Sequence, residues 1–330
     1  MKNRILAICD PETTYASRLM EYLNERQVSP FYARAFTSKE ALRDFAGQAE
    51  IEVLLISSDM ALVDLQGLPG GKRIWLTHGQ IPAELEGEPV IYKYQSAEKI
   101  IREILYYYAE EAQPLLQAAL LKEKIQMYGV CSPIGRTGKT TFALALGSLL
   151  AEKKRTLYLN LEPYSGFEQM LPPVSQWNLG DLLYFLKKGK QGFLYKLKSV
   201  TESLGRLDYI VPVRSPEDLL SVMEEEWEEL LERLISEGEY ECLVLDFSDC
   251  IQGLPALLEK CSRVYMPVRE DGISRAKLKQ FEDVLEMRGF ERLRDSIRKV
   301  KLPRSWIPEV LRPEYIPQEM YQFVQEQEDW

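Results

Sequence analysis

Histidine is nearly missing from these 330 residues: His78 is the only one. It sits in the loop THG, where it reads as a surface turn residue rather than a catalyst. Cysteine is sparse and unpatterned. Cys9, Cys131, Cys242, Cys250 and Cys261 are odd in number and never in C-x-x-C spacing, which argues against a disulfide framework or a zinc site and suits a reducing compartment. Basic charge is in deficit, with 41 Lys+Arg against 51 Asp+Glu and a net charge of -10, so a broad electrostatic grip on nucleic acid is not expected. The one concentrated basic run, KKGKQGFLYKLK at 187–198, is interrupted by Phe193, Leu194 and Tyr195. It reads first as a solvated face, then as a partner or anionic-lipid contact, and last as a DNA contact. Long apolar runs are absent too. The opening MKNRILAICD is too short in its apolar stretch for a secretion signal, and no segment reaches bilayer-spanning length, so a cytoplasmic protein is expected. Internal repeats and low-complexity tracts are also missing.

What is present is an alternation of short apolar runs with helical patterns. RILAIC, IEVLLIS, RIWLT and VIYKY in the first third read as buried strands, and strands alternating with helices predict a parallel sheet covered by helices. A long helical stretch from Ser96 to Gln126 is interrupted near Gln113-Pro114, since proline removes a backbone donor and disfavours helix before it. That break sets the expected division: a domain at 1–112, a linker helix region at 113–124 and a second domain at 125–330. The alternation resumes with MYGVCS, TLYLNLE, DYIVPV, ECLVLDF, RVYMPV and IRKVKLP as strands. Leu219, Leu220, Met223, Trp227, Leu230, Leu231 and Leu234 are expected on one face of a single helix.

CSPIGRTGKTTFA, residues 131–143, carries the clearest chemistry. Gly135, Arg136, Thr137, Gly138, Lys139, Thr140 and Thr141 form a phosphate-binding loop between a strand and an apolar helix. Its backbone N–H groups cradle phosphates, its lysine reaches the terminal ones, and Thr140 faces Mg²⁺. Pro133 replaces the glycine that opens the common pattern. Asp246, ending an apolar strand in LVLDFSD, reads as the acid of the metal site; the competing reading is a strand-terminal carboxylate capping a helix. Glu162, at the end of LNLE, falls beside the phosphates.

This loop, Asn160-Leu161-Glu162, the Asp246 strand and RKVKLP, in that order, resemble the MinD/ParA class of deviant-Walker P-loop ATPases over about residues 125–305. The resemblance implies ATP and Mg²⁺ as cofactors, Thr140 and Asp246 at the metal, Glu162, Asp246 and Arg136 as catalytic candidates, Pro303 among the nucleotide-binding residues, and a face-to-face homodimer. The family's deviant lysine is replaced by Ile134, and its paired acids by Asn160 and Glu162. Losing charge that stabilises the transferring phosphoryl group should spare binding more than hydrolysis. Arg136 is either the substitute for that lysine or a solvated loop arginine. Residues 1–95 resemble a response-regulator receiver domain, with Asp10 after the first strand, Thr77 after the fourth and Lys93 after the fifth. Ser57 stands at the phosphoacceptor position and Pro11 at the second acid, so phosphorylation is expected to be lost and an interaction surface kept. Asp59 would become an acceptor only if its strand were shifted by two residues.

The expected fold class is therefore α/β with two doubly wound parallel-sheet domains, receiver (flavodoxin-like) first and P-loop NTPase of the MinD/ParA type second. That pairing resembles the CpaE/TadZ proteins of Tad-type pili. It implies an ATP-dependent dimeric switch in localisation or assembly, meeting protein partners through the receiver-like half, at a pole or near the membrane. The alternative is an active ParA-type ATPase moving DNA or other cargo. A tyrosine kinase on the same fold would want a tyrosine-rich tail, and only Tyr315 and Tyr321 are there. An iron-sulfur reductase would want dedicated cysteines; Cys131 and Cys250 read as small core fillers. The tail PEYIPQEMYQFVQEQEDW has no lysine or arginine, so direct membrane anchoring is not expected, and Tyr321, Phe323, Val324 and Trp330 are expected to pack on the protein or a partner.

Overall fold

Apolar runs become strands here because helices cover the sheets, and the most central runs, TLYLNL and CLVLDF, stay buried from end to end. In the computed structural model, which describes residues 4–25, 30–60, 71–79, 81–110, 125–171, 175–306 and 315–327, the chain divides into two units, Met1–Leu115 and Leu116–Trp330. The proposed break at Gln113-Pro114 and the linker 113–124 lie outside the described residues.

The first unit holds β1 (Arg4–Cys9), β2 (Phe31–Phe36), β3 (Ile51–Ser57), β4 (Lys72–Thr77) and β5 (Val90–Tyr92). They form a fully parallel sheet in the order β2-β1-β3-β4-β5. The order reverses between β1 and β3, the crevice where doubly wound sheets place their sites. Strand β2, FYARAF, was not anticipated: it alternates buried Phe31 and Ala33 with outward Tyr32 and Arg34, the pattern of a half-exposed edge rather than an apolar run. The helix Lys39–Ala46 starts at a cap, with the Ser38 hydroxyl accepting from the Ala41 N–H.

The second unit holds β6 (Gln126–Val130), β7 (Thr156–Leu161), β8 (Thr201–Leu204), β9 (Leu207–Ile210), β10 (Cys242–Phe247), β11 (Arg263–Val268) and β12 (Arg298–Lys301), ordered β12-β11-β6-β10-β7-β9-β8. All pairs are parallel except β8 with β9. This short antiparallel edge, TESL, was missed because its composition is polar. Register sets Asp246 of β10 opposite Val130 of β6 and Asn160 of β7, so the loop after β6 and the ends of β7 and β10 are neighbours.

The helix Lys139–Ala151 is apolar all round, with every residue from Thr141 to Gly147 buried. Such a helix must be enclosed. The sheet covers one side, and Met320 and Val324 of the tail helix Gln318–Gln327 join the same core. Phe323 is partly buried, its ring 5.8 Å from that of Trp306. Trp330 lies outside the described residues.

Two readings are corrected. The expected single helix is two, Pro216–Leu220 and Glu224–Ser236, and Leu220 and Met223, at the break, are exposed while Leu219, Trp227, Leu230, Leu231 and Leu234 are buried. The basic run 187–198 is a solvated face only in its first half, where Lys187 and Lys188 are exposed; the second half is not. Its helix Phe193–Val200 is core, Lys196 is only 3% exposed with its ammonium 5.8 Å from the Phe185 ring, and Lys187 and Lys198 pair with Glu226 and Glu239.

Because Met320 fills the core around the helix Lys139–Ala151, Met320→Ala is expected to destabilise the second unit by about 2 to 5 kcal/mol. Urea unfolding followed by fluorescence measures it; a change within error would detach the tail from the core.

Candidate functional site

Gly138 has φ 87°, left-handed backbone that glycine adopts freely. This turn carries the chain from the loop into its helix, and Lys139 and Thr140 follow at the helix N-terminus. Residues 132–141 line an open cavity of about 950 Å³, so Gly135, Arg136, Thr137, Gly138, Lys139, Thr140 and Thr141 are brought together. Glu162 joins them from the end of β7.

Lys139 is the electrostatic centre. Its ammonium donates to the Glu162 carboxylate and, at 2.5 Å, to the Phe247 carbonyl, and it lies 3.8 Å from Asp246 Oδ1. Burial opposes its charge, but Asp246 and Glu162 outweigh that and raise its pKa above the ordinary lysine value. Burial likewise raises Glu162, with Lys139 pulling the other way.

Asp246 is fully buried and outside the cavity lining. Its Oδ2 accepts from the Tyr158 hydroxyl at 2.9 Å and from the Asn160 amide at 3.1 Å, while Oδ1 has no hydrogen-bond partner among the described residues. Burial raises its pKa, with the Lys139 ammonium and the Thr140 hydroxyl acting against it. A hydroxyl beside a carboxylate oxygen left open is a donor set suited to Mg²⁺, which takes few protein oxygens and completes its shell with phosphate and water. The residues present fit the ion.

Asn160, only 2% exposed, faces inward: its amide donates to Tyr158 and Asp246, and its carbonyl accepts from the Glu162 N–H. Ile134 is buried and Arg136 is exposed. Pro303 is exposed and outside the lining; the next residue, Arg304, is in it. Sequence reasoning also missed Asp249, Arg269 and Lys277. The signal available was positional, since loops after the carboxyl ends of RVYMPV and RKVKLP border the crevice beside β6. Arg136, Arg269, Lys277 and Arg304 form no ion pair among the described residues. Cys131 is buried, and burial pushes its thiol up to about 12; Cys250 is exposed rather than a core filler.

Comparison with known proteins adds distant likenesses. No protein-family model and no curated protein matches the chain. Among solved structures, a plasmid partition protein from Borrelia burgdorferi B31 bound to AMPPNP is 16% identical, with 62% of this chain and 98% of that one covered and a TM-score of 0.45. A ParA family ATPase from Chlorobium tepidum TLS is 16% identical over 61% of this chain and 79% of its own, TM-score 0.45. The MinC:MinD cell division complex of Aquifex aeolicus gives 15%, 53% and 68%, TM-score 0.41.

The first unit has its own cluster at the carboxyl ends of its strands. Lys93, just after β5, donates to Asp10 Oδ1 at 3.0 Å and to Glu12 Oε2 at 3.0 Å, above the Tyr15 ring at 4.5 Å. Burial works against its charge, but the bonds to Asp10 and Glu12 prevail and raise its pKa. The second carboxylate is therefore Glu12, one residue past the Pro11 of the sequence reading. Ser57 ends β3, fully buried, and Asp59 lies beyond the strand on the turn Ser58–Met60, 3.7 Å from His78. Among the described residues no group of three or more His, Cys, Asp or Glu could hold a metal ion.

With Lys93 neutralising the acid pair and a serine at the strand end, acetyl phosphate with Mg²⁺ is expected to leave the protein's intact mass unchanged. A hydroxylamine-sensitive adduct on Asp59 would contradict this.

Proposed function

We propose that this chain is an ATP-binding, dimeric switch that localises or helps assemble a surface machine of the Tad-pilus kind, with weak or absent hydrolysis. One observation carries the reading: Lys139 and Thr140 stand at a helix N-terminus over a cavity rimmed by Arg136, Arg269, Lys277 and Arg304, an anion site in a chain of net charge -10. Thr140 and Asp246 would hold Mg²⁺, which would neutralise charge on the terminal phosphates. Lys139, now held by Glu162, would supply the positive charge for the phosphate.

Slow turnover is supported by Asn160. Its neutral amide is committed to Tyr158 and Asp246, so it offers no carboxylate to orient an attacking water. Glu162 and Arg136 remain the candidates for that work, Arg136 in a partner's site. Pro303 would border the nucleotide through its neighbour Arg304. The division at 1–112, 113–124 and 125–330 assigns partner binding to the receiver-like half, whose acid site is closed by Lys93. No helix among the described residues is long and apolar enough to cross a membrane, and three lysines of the basic run are engaged within the chain, Lys196 in the core and Lys187 and Lys198 in ion pairs. Recruitment near a pole or membrane from the cytoplasm would then run through a protein partner.

Lys139→Ala is expected to weaken Mg-ATP binding about 10- to 100-fold, the loss of a charge-assisted contact, in a titration with fluorescent nucleotide; unchanged affinity would move the site elsewhere. Steady-state turnover is expected to stay slow with or without DNA, whereas DNA-stimulated turnover would favour the cargo-moving alternative.

A further inference from the structure

Arg136 is the only non-glycine residue with positive φ among the described residues, at 57°. A side chain is unfavourable in this left-handed region, and such a conformation persists only where neighbours impose it. The neighbour here is Arg269, whose guanidinium donates to the Arg136 carbonyl. It is the last of three ties from one strand and its extension. The Cys131 N–H donates to the Tyr265 carbonyl at 3.0 Å, and the Ser132 hydroxyl to the Pro267 carbonyl at 2.8 Å. Arg269 follows two residues further along, in step with the strand's period of two. The first two ties fix the loop where it leaves β6; only the third reaches its middle, beyond the Pro133 that replaces the opening glycine. Arg269 is half-buried and has no carboxylate partner among the described residues.

We propose that Arg269 is a positioning residue that holds the phosphate-binding loop in its ligand-ready shape by fixing the left-handed peptide of Arg136. Its consequence for nucleotide affinity rests on the ATP-binding reading; the clamp itself does not. Glycine at 136 adopts the same backbone without help, so the need for Arg269 disappears in Arg136→Gly. A guanidinium acting directly on ligand phosphate would be needed equally in both backgrounds.

The test is amide hydrogen exchange over residues 131–141 of the full, nucleotide-free chain, with a double-mutant comparison. Arg269→Ala is expected to speed exchange of this segment about ten-fold in the wild-type background, and by less than about two-fold on top of Arg136→Gly. Should Arg269→Ala fail to fold, Arg269→Lys, which keeps the charge and loses the planar fork, carries the same comparison. Exchange unaffected by Arg269 variants, or affected equally in both backgrounds, would overturn the clamp. Titration of the same four proteins with Mg-ATP is expected to follow the same coupling. Coupled exchange in a protein that binds no nucleotide would strike the ATP reading and leave the clamp standing.

Discussion

Lys139 is a cation that several parts of the second unit converge on. Its ammonium meets a carboxylate from the end of β7, a backbone carbonyl at the end of β10 and, one step deeper, the buried Asp246. A buried carboxylate is costly unless hydrogen-bonded and paired. Tyr158 and Asn160 supply the bonds and Lys139 supplies the pairing. The requirement ties the β6 loop to the β7 and β10 ends around one ammonium shared by two carboxylates. A phosphate ligand would have to compete with Glu162 for a charge already in use.

The first unit solves the same electrostatic problem with a different outcome. Asp10 and Glu12 would repel each other at the mouth of their sheet, and Lys93 holds both. In a metal-dependent acid pair that work would fall to a divalent ion. Here the Lys93 ammonium is hydrogen-bonded into place over the Tyr15 ring, so the acid pair is met by the chain's own charge.

The one basic run that the sequence offered to a polyanionic partner is in part a structural element. The second half of 187–198 folds into a helix whose Phe193, Tyr195 and Leu197 are core, and the Lys196 stem follows them inward, while Lys187 and Lys188 before it stay exposed. The rim cations lie apart in sequence, Arg136 after β6, Arg269 and Lys277 after β11 and Arg304 after β12, and only folding gathers them around one cavity.

The sequence by itself determined what depends on local pattern. Apolar runs such as TLYLNL and CLVLDF specified central strands, and Gly138-Lys139-Thr140 specified a loop at a helix start. Strands FYARAF and TESL escaped because edges are half-exposed and carry no continuous apolar signal. The break at Ser221–Met223 escaped because a helical stripe continues in phase across it. Tertiary structure decided the rest: that Glu12 rather than Pro11 shares Lys93, that Asn160 turns inward to Asp246, and that Arg269 ties the middle of the loop. Each depends on which strand ends become neighbours in a parallel sheet, and that order is set by packing over long sequence separation, with no trace in the spacing of the residues themselves.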